Sequence, residues 1–140
     1  MKYFKPTFAF MLCALAITAS AQTVSVTTTN LAWTVTDVYN VNAQLHEFDS
    51  DIVTIHTDGT LLWNDAAGST KLQVSGATLA GTWLNVATDG EVVYHFTADS
   101  QPATLTLQRA QGVYTMEVSM YQNESTPQVY QLSISSYTVL

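Results

Sequence analysis

Cysteine is almost absent from this sequence. The single cysteine, Cys13, lies in an apolar stretch near the start of the chain, and residues 22–140 contain none. No disulfide can therefore form within residues 22–140, although small exported domains often rely on disulfides because their cores are thin. That segment is long enough to hold one domain together by an apolar core alone.

Lysine and arginine are also scarce, with four copies against eleven aspartates and glutamates. Two of the four are Lys2 and Lys5, so residues 22–140 keep only Lys71 and Arg109. Contact with phosphate groups requires such cations, so this balance excludes nucleic acid and anionic membranes as partners. The negative charge is explained by solubility, with a cationic partner or a divalent ion as the alternative.

Signals for helices and for linkers are missing as well. Residues 22–140 show no apolar pattern with the 3.6-residue period of a helix, and no low-complexity tract divides them. Threonine, valine and tyrosine are common there, and these residue types favour strands. We therefore predict one all-β domain over residues 22–140.

The N-terminal residues have the pattern of a secretory signal peptide. Lys2 and Lys5 precede an apolar run over residues 8–17, and Ala19-Ser20-Ala21 supplies small residues for cleavage. The run is shorter than the roughly 20 residues that span a bilayer, so we expect no stable membrane insertion after cleavage. We predict a signal peptide over residues 1–21 and a secreted, periplasmic or cell-surface protein.

Alternating residues and turn pairs predict the strands. Leu31, Trp33 and Val35 alternate with smaller or polar residues, as in a half-buried strand. Asp58-Gly59 and Asp89-Gly90 predict two-residue hairpin turns, and Gln111-Gly112 predicts a third. The pattern is typical of an antiparallel β-barrel or barrel-like sandwich of about eight to ten strands.

Each predicted turn fixes a register. The first places Ile55 opposite Leu62 and Thr54 opposite Trp63. The third places Leu107 opposite Met116 and Leu105 opposite Val118, which leaves polar residues on the other face, as expected for a sheet with one side in water. The middle hairpin is largely apolar on both faces, with Trp83, Val92, Tyr94 and Phe96 on one face and Leu84, Val86 and Val93 on the other.

Residues for catalysis or metal binding are few. The nucleophile elbow, a complete zincin motif and glycine-rich phosphate loops are absent from the sequence. His46, His56 and His95 have no diagnostic spacing for zinc. The acidic loop over residues 46–51 is interpreted as solvated, with calcium as the alternative. We therefore predict no catalytic residues, no metal site, no cofactor and no enzymatic activity.

One short motif resembles a known family. Leu79-Ala80-Gly81-Thr82-Trp83 is similar to the L-x-G-x-W strand opening of lipocalins and related calycin barrels. The resemblance implies a closed antiparallel barrel with an apolar cavity for a small hydrophobic ligand. On that view, Leu31-Ala32-Trp33 stands for the first strand of the family and Gly81-Thr82-Trp83 for a central one.

These observations predict a non-enzymatic exported binding protein that holds a small hydrophobic ligand inside a barrel. The alternative is an extracellular interaction module that binds protein or carbohydrate and has a filled interior. The aromatic residues predicted to contact the ligand are Trp33, Trp63, Trp83, Tyr94 and Phe96.

Overall fold

A computed structural model describes residues 22–140, so the signal peptide predicted over residues 1–21 lies outside the described residues. The described chain forms ten strands. They are β1 (Leu31–Asn40), β2 (Leu45–Glu47), β3 (Asp51–Ile55), β4 (Leu61–Asn64), β5 (Thr70–Val74), β6 (Thr78–Ala80), β7 (Gly90–Ala98), β8 (Gln101–Ala110), β9 (Val113–Met120) and β10 (Gln128–Val139). Over residues 22–140, no helix is long and apolar enough to cross a membrane.

The strands form one antiparallel sheet that curls into a half-barrel. Their order is β5-β4-β3-β1-β10-β9-β8-β7-β6, and β2 pairs with the second half of β1. The central pair, β1 and β10, joins the beginning of the domain to its end, since Leu31 lies opposite Val139. The all-β prediction, with eight to ten antiparallel strands, is confirmed.

The core lies inside the curl. Strands bury every second residue because successive side chains point to opposite faces. Leu105 and Leu107 in β8 and Met116 and Val118 in β9 are almost fully buried, and the residues between them are more exposed. The separation of apolar and polar faces predicted for this hairpin is confirmed.

The turn at Gln111-Gly112 is the two-residue turn that the sequence predicts. Ala110 pairs with Val113, and both central residues have positive φ, 51° for Gln111 and 81° for Gly112. Positive φ at both positions defines the type I′ turn, whose twist matches that of the flanking strands. The register follows as predicted, with Leu107 opposite Met116 and Leu105 opposite Val118.

The register predicted for the first hairpin is wrong by one residue. Ile55 lies opposite Leu61 and Thr54 opposite Leu62. The cause is a three-residue loop over residues 57–59, closed by the backbone N–H of His56, which donates to the carbonyl of Thr60 at 2.9 Å. Gly59, with φ of 86°, occupies the last loop position, which is the usual place for a left-handed residue in such loops.

The middle hairpin predicted at Asp89-Gly90 does not form. Residues 81–89 are not a strand, and β7 pairs instead with the short strand β6, with Leu79 opposite Tyr94. Residues 24–26 lie along residues 83–86 without forming a regular strand. The N–H of Val26 donates to the carbonyl of Trp83 at 3.0 Å, and that of Val86 to the carbonyl of Val24 at 2.8 Å.

Candidate functional site

All five aromatic residues predicted to contact a ligand are buried in the core. Trp33, Trp63, Trp83, Tyr94 and Phe96 have exposed fractions of 0%, 2%, 3%, 3% and 8%. Their side chains come from β1, β4, the 81–89 segment and β7, and all belong to one apolar cluster. The curl of the sheet therefore brings them together as packing residues.

The tryptophan contacts show how tightly these residues are held. Trp33 packs between Tyr114 and Tyr137, with ring centroids 5.6 and 5.5 Å away. The indole N–H of Trp83 donates to the carbonyl of Asn85 at 2.8 Å. The indole N–H of Trp63 donates to the buried carboxylate of Asp51 at 2.7 Å. Buried indoles usually need such acceptors, and both contacts fix the ring orientation.

Three of the five residues also line pockets. Phe96 borders two of them, of about 310 and 350 Å³. Tyr94 borders a pocket of about 140 Å³ next to the first hairpin loop. Trp63 borders one of about 230 Å³ next to Tyr130 and Lys71. Burial raises the pKa of Tyr94 to about 12, so its hydroxyl stays neutral. Pockets for drug-sized molecules usually measure about 300 Å³ or more, so the pockets beside Tyr94 and Trp63 suit only smaller ligands.

A larger cleft lies on the outer face of the sheet. It encloses about 470 Å³ and crosses β8, β9, β10, β1 and β2. We call it the outer groove. Its lining residues are Asp37, Tyr39, His46, Thr106, Gln108, Thr115, Met116, Glu117, Gln131, Leu132 and Ser133.

The strand registers arrange the polar lining residues in two rows across the sheet. One row runs Thr106, Glu117, Gln131, Tyr39, His46, and the other runs Gln108, Thr115, Ser133, Asp37. Directly opposed residues in an antiparallel sheet have Cβ atoms roughly 5 Å apart. The rows therefore present hydroxyl, amide and carboxylate groups at short, regular intervals.

An irregularity in β1 brings two of these residues to the outer face. Strict alternation after Trp33 and Val35 would point residues 37 and 39 into the core. The pairing of β1 with β10 shifts between Thr34 and Asp37, so Val38 is buried instead. A bulge of this kind reverses which face the following residues occupy. Asp37 and Tyr39 therefore face the outer groove.

Three rings stack at the β2 side of the outer groove. The rings of Tyr39 and His46 lie 4.4 Å apart with an interplanar angle of 26°, and those of His46 and Phe48 lie 5.5 Å apart at 4°. His46 Nδ1 is 3.0 Å from the carboxylate of Asp37, which holds the imidazole in place. We call the stack of Tyr39, His46 and Phe48 the aromatic ledge. Phe48 is 77% exposed, so the ledge ends in water.

The outer groove is acidic. Asp37 and Glu117 contribute carboxylates, and His46 is the one described lining residue that can become cationic. Of the described residues that line the groove, none is lysine or arginine. An anionic ligand would meet repulsion there, whereas a neutral or cationic polar ligand would not.

The residues considered for metal binding are placed apart. His46 lies in the outer groove, whereas His56 and His95 border other pockets. The acidic loop is divided as well, because Asp51 is fully buried and pairs with Lys71 at 3.1 Å. Within residues 22–140, no three His, Cys, Asp or Glu side chains form a group that could hold a metal ion.

The sequence predicted the polar face of β8 and β9 but missed the outer groove as a site. Its residues come from strands separated by up to about a hundred positions along the chain, and only the pairing of β1 with β10 joins them. One local signal was available. Asp37 occupies a position that the alternation of β1 assigns to the core, and a charged residue there indicates a bulge.

Comparison with known proteins gives no relatives for this chain: no protein-family model, no curated protein and no solved structure matches it.

Proposed function

We propose that this protein is a non-enzymatic carbohydrate-binding module, and that the outer groove holds a neutral oligosaccharide. The observation that carries the proposal is the combination of two polar rows in one cleft of about 470 Å³ with a stacked aromatic ledge that begins at its lining residues Tyr39 and His46. This is the interaction-module alternative that the sequence left open.

Sugars match both parts of this cleft. Their hydroxyl groups both donate and accept hydrogen bonds, and Glu117, Gln131 and Asp37 offer acceptors and donors at strand spacing. The C–H faces of a sugar ring are weakly positive, and an aromatic face is electron-rich. Tyr39 and Phe48 supply such rings at the edge of the cleft.

The absence of cations among the described lining residues defines the class of sugar. Acidic glycans would bring carboxylates or sulfates close to Asp37 and Glu117. Like charges at such distances oppose binding. Neutral hexose chains can form hydrogen bonds with the polar rows without this charge repulsion.

Calorimetric titration with a panel of neutral oligosaccharides, with oligouronates for comparison, tests the proposal. We expect binding to neutral chains and none to oligouronates. Replacing Glu117 with Gln should weaken binding about tenfold, because a hydrogen bond to a charged group contributes about 1.5–3 kcal/mol. Phe48→Ala should also weaken binding, and it should leave the fold intact because Phe48 is 77% exposed.

Two matched variants serve as controls. Glu124→Gln changes an exposed glutamate in the loop between β9 and β10, and Gln73→Ala changes an exposed glutamine on β5; neither residue lines the outer groove. Neither should alter the affinity, whereas Gln131→Ala should lower it. If the Glu117, Gln131 and Phe48 variants bound with the same affinity as the parent, the ligand would have to bind outside the outer groove. The absence of binding across the neutral panel would refute a carbohydrate function.

We also propose a second candidate, which continues the lipocalin-like prediction. Val38, Trp63, Met120 and Tyr130 give the pocket of about 230 Å³ an apolar wall, and Lys71, Glu47 and Gln122 give it polar groups. Such a site suits a small amphipathic molecule. A fluorescence titration with short-chain fatty acids tests this candidate, because a ligand beside Trp63 should change its emission. Unchanged emission at saturating concentrations would count against it.

A further inference from the structure

A buried carboxylate, an amine and a second carboxylate meet beside Trp63. Asp51 is fully buried at the start of β3, and its Oδ2 lies 3.1 Å from Lys71 Nζ on β5. Glu47 at the end of β2 places its Oε2 2.8 Å from the same Nζ. In a purely structural ion pair, we would expect every buried carboxylate oxygen to have a hydrogen-bond partner, but here one does not. The second oxygen of the buried carboxylate, Asp51 Oδ1, has no hydrogen-bond partner among the described residues.

We propose that Lys71 and Asp51 condense to an intramolecular amide, a covalent staple between β5 and β3. The bond that forms joins Lys71 Nζ to Asp51 Cγ, and the bond that breaks is Cγ–Oδ1. The ammonium group and the carboxylate together lose one water, so the reaction needs no oxidant, reductant or other co-reactant. Oδ1 leaves as that water, carrying two protons from the amine.

Each neighbouring group has a place in this step. Trp63 Nε1 donates to Oδ2 at 2.7 Å, so it polarises the carboxyl group and afterwards holds the amide oxygen. Glu47 Oε2 accepts from Nζ, which positions it to take a proton from the amine and return it to the departing oxygen. Contact between the reacting groups replaces an encounter in solution, and effective molarities in well-oriented intramolecular reactions reach about 10⁵–10⁸ M.

The product removes two costs that the unreacted structure carries. Buried charges are expensive even when they are paired, and a buried oxygen without a donor is expensive as well. The amide has no charge and no second oxygen. Its carbonyl keeps the hydrogen bond from Trp63, and its N–H can donate to Glu47. The released water can leave through the pocket that Glu47, Trp63 and Lys71 line.

The amine is protonated before the reaction. Burial acts to lower the pKa of Lys71, but the hydrogen bonds and charges of Glu47 and Asp51 together raise it above its ordinary value of 10.5. Only the neutral amine is a nucleophile, so loss of a proton to Glu47 must precede attack. Because that proton returns to the departing oxygen, the step exchanges no net proton with solvent, so staple formation should proceed at neutral pH and slow once the pH is high enough to remove the proton from Lys71.

Intact mass spectrometry of the purified, denatured protein tests the proposal directly. We expect a mass lower by one water, and incubation at neutral pH should drive any unreacted fraction to the same mass. Trypsin gives an independent readout, since Lys71 and Arg109 are the only lysine and arginine in residues 22–140. A stapled Lys71 should resist cleavage, so one fragment should contain both Asp51 and residues beyond Lys71.

The variants separate this reaction from other mass changes. Lys71→Arg keeps the positive charge but should show the full mass. Glu47→Gln should slow the loss of water at least tenfold, whereas Asp49→Asn, a neighbouring exposed carboxylate, should not. Cyclisation of a terminal Gln22 would release ammonia instead of water, and high-resolution mass distinguishes the two. Full mass with normal cleavage after Lys71 at every pH would overturn the proposal, as would loss of water in Lys71→Arg.

Discussion

At the scale of single residues, the contact between Gly90 and Trp83 shows how little space the core leaves. A Cβ atom added at Gly90 would lie 2.6 Å from Trp83 Cδ1 and 2.7 Å from its Nε1. The indole cannot move aside easily, because its N–H is bound to the carbonyls of Asn85 and Thr88. The backbone φ of Gly90 is not in the left-handed region, so its conformation does not require glycine. The close packing of the Trp83 ring does.

Replacing Gly90 with alanine should therefore destabilise the protein by about 1–3 kcal/mol, the usual cost of overpacking a core. Urea unfolding followed by tryptophan fluorescence measures the change. Gly68→Ala is the control, because its Cβ meets nothing within 4 Å and only its φ of +84° opposes the substitution. That strain costs about 1 kcal/mol. A smaller loss for Gly90→Ala than for Gly68→Ala would contradict the packing argument.

At the scale of elements, Asp89 couples the irregular 81–89 segment to the β8–β9 turn. Its carboxylate accepts hydrogen bonds from the backbone N–H of Gln111 at 2.9 Å and of Gly112 at 3.3 Å. Arg109 Nη1 donates to it at 2.8 Å. These backbone hydrogen bonds, together with the charge of Arg109, lower the pKa of Asp89 below its ordinary value of 3.8. The residue that the sequence placed in a hairpin turn thus caps a different hairpin.

The pH dependence of stability follows from the direction of that shift. A carboxyl group with a lowered native pKa stabilises the fold above its unfolded pKa, and this stabilisation is lost as the pH falls through the native value. Asp89→Asn should therefore lower the melting temperature at neutral pH, and the difference from the parent should shrink below about pH 3.8. Scanning calorimetry over pH 2–7 measures it. Glu124→Gln, on an exposed loop, should show no such trend, and a constant difference for Asp89→Asn would contradict this assignment.

At the scale of the whole molecule, β10 holds the two parts of the sheet together. It pairs with β1 along one edge and with β9 along the other, and it contributes the buried Leu132 to the core. Without β10, no strand among β1 to β5 would pair with any strand among β6 to β9 in this sheet. The outer groove would also lose Gln131 and Ser133 from its centre.

Removal of residues 128–140 should therefore abolish cooperative folding. Near-ultraviolet circular dichroism should lose its aromatic signal, and urea should no longer produce a sharp transition. Removal of Leu140 alone is the control, since this residue is 59% exposed and follows β10. A cooperative transition in the longer deletion would show that the remaining strands can close the core by themselves.

The sequence alone determined the strand content, the polar outer face of β8 and β9 and the turn at Gln111-Gly112, because alternation and turn geometry are set by neighbouring residues. Tertiary structure decided the rest. The partners of β1 shift its register, which turns Asp37 and Tyr39 outward, and the curl of the sheet buries the tryptophans. The outer groove exists only because β1 and β10 pair across almost the whole domain, and such a long-range contact leaves no periodic trace in the local sequence.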